Sequence, residues 1–318
     1  MSAISGSAPG KVILCGEHAV VYGQPAIALP VFDIQTRCVV LARPGDPKGT
    51  VLINDHAIDL KSDLASLSPD HPIRKTITLV LAALSMEHMP ACEIQIYSSI
   101  PIGGGLGSSA SVPVALCRAV SAFTGHPLDD DAVNEIAFEI ERLHHKTPSG
   151  IDNSVITYGR PVFFTKNHPL EWLEVPTELL FLIANSGIKG STAKAVLQIK
   201  ENWLTDPVRY ESIFSDIGAI SIAMRESLRS GNHSEIGKLM VANHHLLQKL
   251  NVSTDKLDTL IETANQAGAY GAKMSGGGLG GNIIAFIPQD KEETITQELI
   301  TVGAKNVIVT RLSTREVN

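Results

Sequence analysis

The segment that most constrains this chain runs from an alternating stretch straight into a cluster of glycines. Cys92, Ile94 and Ile96 alternate with Glu93, Gln95 and Tyr97, so 91–98 reads as a half-buried strand. It leads into Pro101-Ile102-Gly103-Gly104-Gly105-Leu106-Gly107-Ser108-Ser109-Ala110, and from Ser108 to Phe123 small and apolar residues continue as a largely buried helix. Glycine loses more backbone entropy on folding than any other residue, so such a run is kept where backbone must approach something closely. Between a strand and a helix it presents free N–H groups at the positive end of a helix dipole, an arrangement that binds phosphate. Taken alone, it could equally be a tight turn with a serine cap. It is not a Walker A loop, since no lysine follows the last glycine. Nor does it open a first βαβ unit with an acidic residue about 20 positions on, as a dinucleotide fold requires. A second cluster, Ser275-Gly276-Gly277-Gly278-Leu279-Gly280-Gly281, follows Gly271-Ala272-Lys273-Met274 and precedes the apolar Ile283–Ile287. Two donor-rich loops are what a nucleoside triphosphate and its acceptor need.

The remaining pattern is α+β in two domains, divided in the polar stretch 166–177 and expected as 1–172 and 173–318. Strands are expected at Val12–Leu14, Phe32–Leu41 and Val51–Ile53, with a turn at Asn54-Asp55 before Ile58. Ile73, Ile77, Val80, Leu81 and Leu84 space a helix over 72–86, and Asp129-Asp130-Asp131 opens another along Val133, Ile136, Ala137, Ile140 and Leu143. Val155–Tyr158 and Val162–Thr165, joined by Gly159-Arg160-Pro161, read as a hairpin. Leu179–Ala184 reads as a strand. Asp206-Pro207 caps a helix that Gly231 stops, with an apolar stripe at Ile213, Phe214, Ile217, Ile220, Met224 and Leu228. Helices at 234–250 and 254–267 and strands at Ile283–Ile287 and Val307–Thr310 complete the reading.

Composition narrows the class. The 318 residues are 44% hydrophobic and 19% charged, with net charge −7 and no basic cluster, so neither nucleic acid nor an anionic membrane is favoured as partner. The start lacks the basic and apolar regions of a signal peptide, and no run of 18 apolar residues is present. Cys15, Cys38, Cys92 and Cys117 lie far apart and read as free thiols in a reducing cytoplasm.

Ala8-Pro9-Gly10-Lys11-Val12-Ile13-Leu14-Cys15-Gly16-Glu17-His18-Ala19-Val20-Val21-Tyr22-Gly23, Pro101–Ala110 and Lys273–Gly281 together resemble, in order, the three motifs of the GHMP kinases. Gly16–Gly23 and Thr147-Pro148-Ser149-Gly150-Ile151-Asp152-Asn153 are nearest to the members that act on mevalonate. The resemblance spans residue 8 to about 285. It implies a domain like ribosomal S5 domain 2, then a ferredoxin-like domain with extra helices. It also implies ATP as phosphoryl donor, Mg²⁺, mevalonate as acceptor through its primary hydroxyl, a place in isoprenoid biosynthesis, and it allows a homodimer. A sister kinase acting on phosphomevalonate, a mevalonate monophosphate isomer, homoserine or a sugar is the neighbouring reading. A nucleotide-binding sensor without turnover would lack Lys11, Glu141 or Asp152, and all three are present.

Asp152, expected in a loop between a helix and the hairpin, is either an Asx-turn residue or a base for the acceptor hydroxyl. The resemblance implies the base, with Lys11 beside the transferring phosphoryl group. It implies Mg²⁺ on Glu141 and Ser109, and ATP against Gly103, Gly104, Gly105, Leu106, Gly107, Ser108, Ser109, Ser98 and Thr192. On the acceptor side it implies Glu17, His18 and Gly277. Arg142 is either partner to a substrate carboxylate or an ordinary surface ion pair. The departures are Asn185-Ser186-Gly187, where an aspartate often precedes the small pair, Ala193 between Thr192 and Lys194, and a third motif that reads Ser-Gly-Gly-Gly-Leu-Gly-Gly where Thr-Gly-Ala-Gly-Gly-Gly-Gly is more usual. The neighbouring pairs His144-His145 and His244-His245 diverge by about 100° on a helix and read as structural or surface residues.

Overall fold

The computed structural model describes residues 3–144 and 149–312, so His145, Thr147 and Pro148 of the sequence reading lie outside the described residues. The chain forms two compact units, each discontinuous in sequence. The first contains the N-terminal residues to Gly10, Ile34–Pro101 and Gly107–Gly159; the second contains Lys11–Asp33, Ile102–Leu106 and the chain from Arg160 on. The boundary expected at 172/173 therefore falls inside the second unit.

In chain order the first elements are β1 (Ile4–Cys15), β2 (Ala26–Ala42), β3 (Val51–Asp55), β4 (Leu60–Asp63), α1 (Pro72–Ala83) and β5 (Cys92–Ser98). Then come α2 (Ser108–Phe123), α3 (Asp130–His144) and α4 (Ile151–Tyr158). The first unit is a sheet in the order β4-β3-β5-β2, with β3 parallel to β5 and the C-terminal part of β2 antiparallel to it, Thr36 facing Ser98. Alternation along β5 buries Cys92, Ile94 and Ile96 as its sequence requires. Helices α1 to α4 pack on one another. Arg118 of α2 ties them: it donates to Ser7 O at 2.9 Å, to Asp130 Oδ1 at 2.7 Å and to Thr157 O at 2.6 Å.

One expected strand is a helix. Val155–Tyr158 forms the end of α4, although β-branched residues favour strands. Ile151, Val155 and Ile156 are spaced to bury on one helical side, and packing against α2 and α3 outweighs the local preference. The hairpin is consequently absent, and Val162–Phe164 pairs instead with β2 at Ala26–Ala28.

The second unit continues with β6 (Val162–Phe164), β7 (Glu171–Trp172), β8 (Leu179–Asn185), α5 (Thr192–Thr205), α6 (Pro207–Ser230), α7 (His233–Lys249) and α8 (Asp255–Gln266). β9 (Gly271–Ser275), β10 (Asn282–Phe286), α9 (Glu292–Thr301) and β11 (Asn306–Leu312) follow. Its four-stranded sheet runs β11-β8-β10-β9, all antiparallel, which with the intervening helices is the β-α-β-β-α-β order of ferredoxin-like folds. Asp206 caps α6 by accepting from Arg209 N, Pro207 occupies its first turn, and Gly231 ends it in a left-handed conformation. Ile213, Phe214 and Ile217 of the α6 stripe join a core with Leu182, Leu247, Leu260 and Ile283, and Ile220 packs against it. All four cysteines are buried and unpaired, Cys38, Cys92 and Cys117 in the first unit and Cys15 in the second. No helix among the described residues is long and apolar enough to cross a membrane.

Candidate active site

In the first unit, α2 starts from its N-cap Gly107, which has φ 83°, a conformation that costs a residue with a Cβ. Ser108 and Ser109 form the first turn, half-buried, where backbone N–H groups lack helical partners. Pro113 within α2 has no N–H to give the carbonyl of Ser109. The Ser98 hydroxyl bonds Thr36 Oγ1 at 3.0 Å and accepts from Ile100 N at 3.2 Å. Thr36 Oγ1 in turn meets Ser111 Oγ at 2.8 Å, so a chain of hydroxyls ties Ser98 of β5 to β2 and α2.

Asp152 is not on a loop. It is the second residue of α4, half-buried, in the first turn where the helix dipole favours a carboxylate. Gly150 caps this helix at φ 87°, and the Ser154 hydroxyl donates to Gly150 O at 2.7 Å. Asn153, which carried no role in the sequence reading, donates to Asn134 Oδ1 at 2.7 Å and pins α4 to α3. Glu141 is buried on α3. Arg142 is exposed, pairs with Glu139 Oε1 at 2.9 Å and covers the Phe138 ring, so the surface ion pair is its observed state.

In the second unit the two glycine clusters line one concavity, with Gly103, Gly104, Gly105, Gly277, Gly278 and Thr192 on its walls. The clusters touch backbone to backbone: a Cβ on Gly105 would lie 3.7 Å from Gly276 Cα. A Cβ on Gly277 would run into Thr192, so this position must be glycine. The side-chain amide of Asn282 donates to Gly104 O, and Asn185 Nδ2 donates to Asn282 Oδ1 at 2.9 Å. Lys11 N donates to Leu106 O at 3.0 Å, which fixes the Pro-Gly-Lys turn to the base of the first glycine run. Lys11 is buried, as are Leu106, Glu17 and His18. Ser191 caps α5, leaving Thr192 and Lys194 exposed on its first turn.

Glu17 and His18, expected side by side on the acceptor, are held in different ways. The Glu17 carboxylate is 4% exposed and forms an ion pair with the fully buried Lys273 ammonium, while its other oxygen accepts from Asn243 Nδ2 at 3.2 Å. It is thus engaged within the protein. His18 has φ 61° and ψ −46°, a backbone state that costs about 1–3 kcal/mol in a residue with a Cβ. Its Nε2 has no hydrogen-bond partner among the described residues. Burial, helped by the Lys273 charge and opposed by the Gly277 backbone, pushes its imidazole down to about 4, so it is neutral at ordinary pH. Lys273 and Asn243 went unassigned from sequence. The available signal was a lysine within Gly271–Ser275, a strand buried at every position. His244 is buried too, with Nε2 3.0 Å from Asp258 Oδ1, and the exposed His245 meets Gln248 at 3.2 Å.

This arrangement has close parallels. Family descriptions match at residues 72–160 (GHMP kinases N terminal domain) and 224–305 (GHMP kinases C terminal). The mevalonate kinase of Pyrococcus horikoshii is 34% identical over 96% of this chain and 95% of its own, and that of Methanocaldococcus jannaschii 33% over 92% and 94%. Among solved structures, L. major mevalonate kinase in complex with R-mevalonate superposes with a TM-score of 0.84 at 30% identity, covering 98% of this chain and 96% of that one. Methanococcus jannaschii mevalonate kinase gives 0.84 at 29%, covering 98% of both. With its motifs in order, its two folds as expected and relatives of this likeness along nearly its whole length, the chain belongs to the GHMP kinase family, and the relatives named above are mevalonate kinases.

Proposed function

We propose that the protein transfers the γ-phosphoryl group of ATP to the primary hydroxyl of mevalonate, giving 5-phosphomevalonate for isoprenoid biosynthesis. The observation that carries this is the likeness, over nearly the whole chain, to mevalonate kinases, one of them solved in complex with R-mevalonate; the small concavity lined by both glycine clusters, with no side chain bulkier than Thr192, supports it by offering backbone donors for phosphate. Gly103 through Ser109 cradle the triphosphate, and Lys11 offsets charge on the transferring group. Asp152 accepts the proton of the acceptor hydroxyl as it attacks in line. His18, neutral and with a free ring nitrogen, bonds a hydroxyl or carboxylate of mevalonate, with Gly277 nearby.

Among the described residues no group of three or more His, Cys, Asp or Glu could hold a metal ion by itself. Magnesium carried by nucleotide phosphates takes only one or two protein oxygens, and Ser109 with the buried Glu141, on the packed helices α2 and α3, fit that requirement. Bound there, the ion would neutralise charge on the phosphates. The four free, buried thiols suit a reducing cytoplasm.

Coupled ADP release over mevalonate, phosphomevalonate, homoserine and galactose tests the acceptor. Mevalonate is expected to give the highest kcat/KM; a higher value with another acceptor overturns the reading. Asp152→Asn is expected to lower kcat by roughly 10²–10⁴-fold with ATP binding retained, as for loss of a general base. A variant with full turnover would remove Asp152 from that role.

A further inference from the structure

Lys273 is the most deeply buried charge among the described residues, with no solvent exposure, and the resemblance implies no function for it. Its ammonium meets Glu17 Oε1 and donates to Met274 O at 2.6 Å. Asn243 of α7 reaches the other oxygen of the same carboxylate. Two residues along β9, Ser275 binds the preceding motif from the same direction: its hydroxyl accepts from Ile13 N at 3.3 Å and donates to Ile13 O at 3.1 Å. The turn Gly16-Glu17-His18 is therefore gripped from β9 and α7 on its protein side. The next residue, His18, is in a backbone state it would not choose, with a ring nitrogen unmatched.

Desolvating both ends of an ion pair is expensive, and a buried pair adds little stability over apolar residues of the same size. Geometry is the better explanation for its presence. An unfavourable backbone state persists only where the surroundings over-determine it; around His18 these include the bonds from Val21 N to His18 O and from Val20 N to Gly16 O, and the neighbour clamped at both carboxylate oxygens.

We propose that Lys273 and Asn243 are positioning residues: by holding the Glu17 carboxylate they fix His18 so that its free Nε2 is presented to the acceptor. This rests on the reading of His18 as an acceptor ligand in the proposed reaction. Glu17 on this account shapes the acceptor site without touching the acceptor. The clamp acts on acceptor affinity and leaves the glycine-lined nucleotide site alone.

The experiment compares wild type with two variants. Glu17→Gln combined with Lys273→Met removes both charges together, so no lone charge is left buried. Asn243→Ala removes one hydrogen bond and no charge, which keeps a folded protein available should the double variant unfold. Each is assayed for KM of both substrates by ADP release, and the ring nitrogens of His18 are followed by ¹⁵N NMR. Expected for each folded variant is a rise in KM for mevalonate of about tenfold, with KM for ATP within about twofold, and a changed His18 ring signal. A purely structural role would lower the active fraction, and hence apparent kcat, with both KM values unchanged; that result, with an unmoved His18 signal, overturns the proposal. Wild-type turnover of mevalonate reports separately on the proposed function. If another acceptor is preferred, the same KM ratios are read with that acceptor.

Discussion

His18 and His244 carry a cost that depends on pH. Burial pushes each imidazole from 6.5 down to about 4; for His244 the Asp258 carboxylate opposes this, and the charges of Lys273 and His245 add to it. Below 6.5 the unfolded chain binds protons that the folded protein refuses. The stability these residues contribute is therefore full above about pH 6.5 and is lost as pH falls toward about 4, on the order of 3 kcal/mol for each. Urea unfolding followed by circular dichroism at about pH 7 and about pH 4.5 is expected to show a large drop in midpoint, and His244→Gln to flatten it. An unchanged slope in that variant would remove His244 from the account. Single residues of this sort were unevenly legible. Asp152 and Lys11 announce themselves through their motifs. Lys273 does not, because the partner that explains its burial is 256 positions away in sequence.

Among the elements, β10 does more than complete a sheet. Its first residue, Asn282, ties the strand to the carbonyl of Gly104, and Asn185 at the end of β8 steadies Asn282 while accepting from Gly187 N at 2.8 Å. Asn185 stands where the family often has aspartate; a carboxylate there could not donate to Asn282. The departure is thus matched by its neighbour. Asn282→Ala would leave the buried Gly104 carbonyl unmatched and loosen the first glycine cluster. The expected outcome is a rise of about three- to tenfold in KM for ATP with KM for the acceptor little changed, read by ADP release. Most elements were readable from spacing and caps: β5, α2 and α6 match their expected residues closely. The helix α4 was not, because Val155, Ile156 and Thr157 speak locally for a strand and only the packing of α2 and α3 decides otherwise. With it went the expected loop setting of Asp152.

At the scale of the whole molecule, the fold class was legible because motif order and alternating patterns survive in sequence. The composition of each unit was less so. Lys11–Asp33 and Ile102–Leu106 belong with the C-terminal residues, and no composition shift marks those crossings. The same division gives the cysteines a use. Burial raises Cys15, Cys92 and Cys117 to about 12 and raises Cys38 as well, so a thiol reagent at neutral pH should find none of them in the native protein and all four in guanidinium. Rapid modification of any of them in the native state would contradict the burial. Because three thiols belong to one unit and one to the other, their labelling rates in mild denaturant act as separate clocks. Cys15 immediately precedes Gly16, Glu17 and His18, so its clock times the opening of the very turn on which acceptor recognition is proposed to depend.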